Sequence, residues 1–241
     1  MAHPLAAELA PTGVLRAAIN MGNFLLVTGK APSGDPTGVS PDMALAIGAR
    51  LGVPVKFIPY ARPGEIADDA EKGLWDIANI GAEPQRAAVI SFTAAYAEIE
   101  ATYLVPAGSP VTAIAEVDRP GKRIAVTARS AYCLWLENNL KHAALQQFNS
   151  ADAALKAFDA GMDAYAGLRP GLIDVAAARP GSRILDGQFA SVQQAVGTPK
   201  KNAAGFQFLK EFVEEAKRTG LVGSFIERHA TVGRLSVAPP A

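Results

Sequence analysis

Residues 73–96 read GLWDIANIGAEPQRAAVISFTAAY, from Gly73 to Tyr96. The short apolar run Trp75–Gly81 predicts a buried strand that ends at a turn. Gly73 stops the helix predicted over Gly64–Lys72 just ahead of it. Gln85–Val89 predicts one helical turn, and Arg86 stands inside it. Ile99–Pro106 then reads as extended. Arg86 is the charged residue of that turn. Its planar fork of donors matches the two oxygens of a carboxylate and stays charged at any working pH. The competing reading is an ordinary surface arginine.

The same alternation continues on both sides. Val14–Ile19 is the first strand, followed by a Gly/Pro/Ser/Thr-rich loop over Thr28–Gly38. Ser40-Pro41-Asp42 predicts a helix start, with Ser40 as cap, and Gly52 predicts its end. Val55–Tyr60 alternates and reads as a strand, and Pro59 places it near an edge. A second cycle opens near Gly121, with strand Arg123–Val126 and a helix over Ser130–Leu140. Ser150–Ala160 is a helix capped by Ser150, Ala164–Leu168 a strand and Leu172–Ala178 a helix. Val192–Val196 reads as a return strand, then helices cover Ala203–Arg218 and Leu221–His229, and the tail Val237–Ala241 is expected to fray. Strands alternating with helices argue for an α/β fold with mostly parallel sheets flanked by helices. Trp75, Trp135 and Cys133 are expected in the core.

Composition bounds the function. At 49% hydrophobic and 19% charged residues the chain is globular rather than disordered. Lys+Arg and Asp+Glu balance at 23 each, so no basic excess points to nucleic acid. Cys133 is the only cysteine, which excludes an internal disulfide and a cysteine-based zinc site. His3, His142 and His229 show no ligand spacing, and no metal or cofactor is expected. No run approaches the ~20 apolar residues of a membrane span. The opening Met1-Ala-His-Pro-Leu-Ala-Ala-Glu lacks a basic start and a long apolar stretch, so no signal peptide is read as printed. That leaves open a mature terminus or a cytoplasmic protein.

Residues 73–96 resemble the signature of the amino-acid-type (family 3) periplasmic solute-binding proteins of ABC transporters, roughly G-x-D-x-x-x-x-G-x-(T/S)-x-x-x-R-x-x-x-x-x-F-S-x-x-Y. Residues 37–52 (TGVSPDMALAIGARLG) resemble that family's G-F-x-x-D-L-x-x-A-I-A-x-x-L-G helix. Residues 121–126 (GKRIAV) resemble its G-K-x-V-G-V strand, and residues 161–164 (GMDA) its G-x-x-D-A. In order, these motifs span Leu15 to His229. The resemblance implies a two-lobed fold with two crossing hinge strands. Lobe 1 is 1–98 plus 197–241, and lobe 2 is the inserted 99–196. A small ligand would sit in a cleft that closes by hinge motion. It further implies a monomer in the periplasm that serves a permease.

By the same resemblance Arg86 holds the ligand's carboxylate. Gly81 stands where the family often has a hydroxyl residue; it offers a backbone amide, or is simply turn geometry. Asn79, Asn20, Asn23 and Phe24 are further candidates, the last as a cleft wall or a core residue. Ser130 matches the family's Thr or Ser at a helix start, a natural anion site. Arg129 replaces the family's usual Gly and either meets a second anionic group or faces solvent. Tyr132 lines the cleft or packs inside lobe 2. Five residues after Asp163, where the family carries an Asp for the ligand's α-ammonium, stands Leu168. The expectation is therefore a carboxylate ligand without an α-ammonium, with Arg169 either reinforcing an anion or structural.

The expected function is solute binding rather than catalysis. A sensory or cytoplasmic binding module on the same fold is the alternative. A dehydratase-like enzyme is a lesser one, and it would need an acid or base in the site. Glu83 is the carboxylate on the arginine turn, otherwise a solvent-facing loop acid.

Overall fold

The structure, a computed structural model, describes residues 5–241. The reading of the N-terminal start, with His3, falls on Met1–Pro4 and lies outside the described residues. In chain order the elements are α1 (Ala6–Leu9), β1 (Leu15–Asn20), β2 (Gly29–Lys30), β3 (Pro36–Thr37), α2 (Val39–Leu51), β4 (Val55–Tyr60), α3 (Pro63–Asp68) and β5 (Ile77–Gly81). A 3-10 turn at Arg86–Ala88 leads into β6 (Ile90–Val105). There follow β7 (Arg123–Thr127), α4 (Ala131–Asn139), β8 (Ala144–Phe148), α5 (Ala151–Asp159), β9 (Ala164–Leu168), α6 (Arg169–Ala177) and β10 (Arg183–Ile184). The last elements are β11 (Ala190–Pro199), α7 (Ala203–Arg218), α8 (Leu221–Arg228) and β12 (Ser236–Val237).

The chain forms two compact units. One is the chain up to Glu98 together with Gln193–Ala241; the other is Ile99–Val192. The chain passes from one to the other inside β6 and returns inside β11. The return falls at Gln193 rather than after Val196, because Gln194, Ala195 and Val196 already pair with Gly81, Ile80 and Asn79 of β5.

In the first unit the strand order is β4-β1-β5-β11, with β1 parallel to both neighbours and β11 antiparallel to β5. Parallel neighbours require crossover helices. α2 and α3 supply them and pack back on β1, β4 and β5. β4 lies at the edge, where Pro59 costs no ladder bond. Ala18, Ile66, Trp75, Ala78, Ile80 and Ile90 form one core cluster, and the Trp75 indole donates to the Ile66 carbonyl at 3.1 Å. Asp76 accepts the Arg16 amide at 2.9 Å and takes its guanidinium at 2.6 Å, locking the start of β5 to β1.

Ser40 and the C-terminal tail differ from what their sequence predicts. Ser40 does not cap α2. Gly38 does, with φ 148°, and a Cβ there would lie 2.2 Å from the Leu26 carbonyl oxygen. Ser40 is already inside the helix, and its hydroxyl donates to that same oxygen at 3.4 Å. The tail is not frayed: Val237 pairs with Ala97, and the Ala238 amide donates to the Tyr96 carbonyl at 3.1 Å.

In the second unit the order is β6-β9-β7-β8, with β9, β7 and β8 parallel and β6 antiparallel to β9. Alternation along β7 builds both faces. Ile124 and Val126 pack with Cys133 and Leu136 of α4, while Ala125 packs with Ala154 and Phe158 of α5. Cys133 is fully buried, as expected, but Trp135 is 37% exposed and lies against Phe189 at 5.4 Å between ring centroids. α6 starts at Arg169, not Leu172, with Pro170 in its first turn. Both units are mixed α/β, with mostly parallel sheets flanked by helices.

Candidate functional site

β5 ends at Gly81, and the chain turns there. The Ala82 amide donates to the Gln193 carbonyl of β11 at 2.9 Å. The Glu83 carbonyl accepts the amides of Arg86 and Ala87, each at 3.0 Å, which shapes the turn that carries Arg86. This turn folds the arginine side chain back over the strand end. Arg86 is 3% exposed, and its Nη1 donates to the Gly81 carbonyl at 2.8 Å and to Glu83 Oε2 at 2.5 Å. A surface arginine would not be so enclosed.

Glu83 overturns an expectation. Of the two expectations for it, a catalytic acid or base and a solvent-facing loop acid, the solvent-facing one does not hold: it is 9% exposed and ion-paired to Arg86. The reason is Gly81: a Cβ on that residue would stand 2.7 Å from each Glu83 carboxylate oxygen. The missing side chain leaves the space in which the carboxylate reaches Arg86. Burial pushes the Glu83 carboxyl above its ordinary range, and the neighbouring Arg86 cation pulls part of that back. The three residues therefore form one enclosed, charge-matched turn. The i,i+3 spacing of Glu83 and Arg86, with a glycine two residues earlier, was the available signal.

The other first-unit candidates lie near this turn with different roles. Asn79 is 1% exposed, and its Nδ2 donates to the Ser40 carbonyl at 2.8 Å, so it ties β5 to α2. Asn23 is buried, and its Oδ1 accepts the Leu25 amide at 3.2 Å, which shapes the loop after β1. Asn20 likewise accepts the Gly22 amide at 3.1 Å. Phe24 is 45% exposed and not a core residue; the Arg234 guanidinium sits 5.6 Å from its ring centroid. Ile19 of β1 pairs with Asn79 of β5 in parallel. The loop carrying Phe24 and the turn carrying Arg86 thus leave the same carboxyl edge of the sheet, where open α/β sheets bind ligands.

In the second unit Ser130 caps α4. Its Oγ accepts the Cys133 amide at 3.1 Å and its hydroxyl donates to the Thr127 carbonyl at 2.8 Å. The amides of Ala131 and Tyr132 are those that a helix start leaves without intrahelical acceptors. Arg129 is exposed and holds φ 59°, the left-handed region, which explains why a glycine suits this position. Tyr132 is half-buried, and burial raises its phenol pKa. Arg169 is tied into the second unit by an ion pair to Glu100. Its Nε donates to Glu100 at 2.6 Å and its Nη2 to the carbonyls of Leu185, at 3.2 Å, and Gly187. Ser130 and Arg169 follow the carboxyl ends of neighbouring parallel strands, β7 and β9.

A family model described as bacterial extracellular solute-binding proteins, family 3, matches residues 24–231. The chain belongs to this family. No curated protein sequence matches this family 3 chain. Among solved structures it is similar to the ancestral amino acid-binding protein AncCDT-1, a precursor of cyclohexadienyl dehydratase. The TM-score is 0.73 at 21% identity, covering 94% of this chain and 99% of that one. It is also similar to an amino acid ABC transporter substrate-binding protein from Streptococcus pneumoniae bound to L-arginine, with TM-score 0.73, 18% identity and coverage of 94% and 98%. A binding component of an ABC transporter from Wolinella succinogenes, complexed with lysine, gives TM-score 0.72, 19% identity and coverage of 90% and 95%. These likenesses establish the periplasmic-binding-protein-like fold. No helix among the described residues of this family 3 chain is long and apolar enough to cross a membrane.

Proposed function

We propose that the chain binds a small carboxylate-bearing solute at Arg86 and presents it to an ABC transporter permease in the periplasm. The observation that carries this reading is the enclosure of Arg86 at the carboxyl end of β5, held by the Gly81 carbonyl and the Glu83 carboxylate. A buried guanidinium fixed on both sides is preorganised for a planar anion. Membership of the solute-binding family and the amino-acid ligands of its structural neighbours support it. Leu168 supplies no charge for an α-ammonium, which favours a carboxylate without one. The enzymatic alternative rests on the similarity to a dehydratase precursor. Its only acid on this turn, Glu83, is engaged by Arg86, so binding is the better reading.

The test is a thermal-shift screen of wild type and Arg86→Ala against small carboxylates, dicarboxylates and amino acids, with circular dichroism as a control for folding. A ligand at a hundredfold excess over its Kd adds about 2.7 kcal/mol of apparent stability. A shift with a carboxylate that vanishes in Arg86→Ala supports the proposal, and a shift that survives the substitution places the ligand elsewhere.

A further inference from the structure

The cation offered to a ligand is already matched. Glu83 Oε2 lies 2.5 Å from Arg86 Nη1, and both residues are almost wholly buried. The pair is net neutral. Placing a ligand carboxylate on Arg86 with Glu83 still ionised would leave a net negative charge in an enclosed, poorly solvated turn, which is costly. From this arrangement, and resting on the reading of Arg86 as the carboxylate grip, we infer that Glu83 is a specificity-determining residue. It is an internal stand-in for the ligand's carboxylate, and an anionic solute binds only as Glu83 gives up Arg86 and takes up a proton. The proton comes from solvent and neutralises the displaced carboxylate, so one proton is bound per carboxylate bound and no covalent bond changes.

The surroundings of Glu83 favour protonation over rescue by another cation. Arg86 is the charged partner on the following turn. β5 contributes Asn79 and Gly81, both uncharged, and β11 contributes Gln193 and Gln194, also uncharged. Glu98 on β6 accepts a hydrogen bond from Gln193 Nε2 at 2.8 Å. Burial already raises the Glu83 carboxyl above its ordinary value. Among the described residues Arg86 is the cation that acts on Glu83, so withdrawing it leaves burial to favour the neutral carboxyl. Gly81 is the other half of the device, because a Cβ there would stand 2.7 Å from both carboxylate oxygens and the Glu83 side chain would have to shift.

The test uses acetate, lactate and succinate as probes, titrated calorimetrically into the wild-type chain and Glu83→Gln at pH 5.5 and 7.5. Each titration is run in phosphate and in Tris to count protons from the difference in heat. The expected result is close to one proton taken up per carboxylate bound by wild type at pH 7.5, and none by Glu83→Gln. At pH 7.5 Glu83→Gln binds at least tenfold more tightly than wild type, and the gap narrows at pH 5.5. The proton count needs no variant, so poor folding of Glu83→Gln would not block the test. Binding by wild type without proton uptake overturns the inference, as does tight binding of the zwitterion glycine without it, which would make Glu83 the partner of a ligand ammonium. Failure of all three probes to bind a Glu83→Gln chain that circular dichroism shows to be folded overturns it too. Binding that persists in Glu83→Gln/Arg86→Ala would instead sink the Arg86 reading itself. Arg86-dependent binding that ignores both pH and Glu83 would leave that reading standing and remove only this one.

Discussion

The Glu83 carboxylate occupies the space that a side chain on Gly81 would fill, with 2.7 Å between each carboxylate oxygen and the position of a Cβ. The two positions are therefore coupled: a side chain at one excludes the ordered carboxylate at the other. Gly81→Ala is expected to destabilise the chain by about 1–3 kcal/mol, the usual cost of overpacking a buried site. In a Glu83→Ala background the same substitution should cost far less, because the space is then vacant. Urea unfolding of the four members of this cycle measures the coupling. Additive costs would show that the two residues do not compete.

Tyr96 lies within β6, and it is fully buried. Its hydroxyl has no hydrogen-bond partner among the described residues. Removing an unsatisfied buried hydroxyl removes a desolvation penalty. Tyr96→Phe is expected to leave stability unchanged or raise it by up to about 1 kcal/mol, read from thermal or urea unfolding. A loss of stability would reveal a partner for that hydroxyl.

Asp118 organises the segment ahead of β8. It accepts the amides of Lys141, His142 and Ala143 at 2.9, 2.8 and 2.8 Å. Burial opposes its charge, but the three amides outweigh it and hold the carboxyl below the ordinary 3.8. A depressed folded pKa means the stabilisation is present above the ordinary value and fades as pH falls through the lower, folded one. Asp118→Ala should cost about 1–2 kcal/mol at pH 7. That difference from wild type should shrink at pH 3 in matched urea titrations, and a constant difference would rule out the charge as its source.

Arg129 holds φ 59° with a full side chain, a conformation that costs a non-glycine residue about 1–2 kcal/mol. Arg129→Gly relieves that strain against a smaller entropic loss, so a net gain of about 0.5–1 kcal/mol is expected. Arg129→Ala keeps the Cβ and should not gain. Equal gains in both variants would trace the effect to charge instead of backbone conformation.

Much of the fold was legible because its signals are local. Ser130 and Ser150 cap helices where their position ahead of an apolar run places them. Gly52 ends α2 in the left-handed conformation that its type predicts. The elements that escaped were set by tertiary pairing. β8 reads ALQQF, with two polar glutamines and no clear alternation, and it is a strand because it pairs along β7. Only the second half of β6, from Ile99, reads as extended from its sequence, whereas the strand begins at Ile90. The capping role of Gly38 depends on the Leu26 carbonyl, twelve residues away. Within the site, Arg86 was legible by type and position. The pairing of Glu83 was not, since it depends on space left at Gly81 that only the folded turn reveals. Arg169 carried the right charge, but its role is set by Glu100 and the carbonyls of the 185–187 segment.

The division of the chain also bears on its biosynthesis. The second unit is one uninterrupted segment, Ile99–Val192, whereas the first is assembled from two segments separated by it. Most of β11, from Gln193 on, and all of α7, α8 and β12 are translated after residue 192, and β11 pairs directly with β5 through Gln194–Gly197. On a ribosome the second unit can complete its sheet while β5 still lacks its neighbour. The end of β5, with the Arg86 turn, is therefore finished last, after Gln193 and Gln194 emerge. A chain stalled or cleaved before that point would carry a folded second unit and an open strand edge beside the arginine, a surface that invites pairing with other chains.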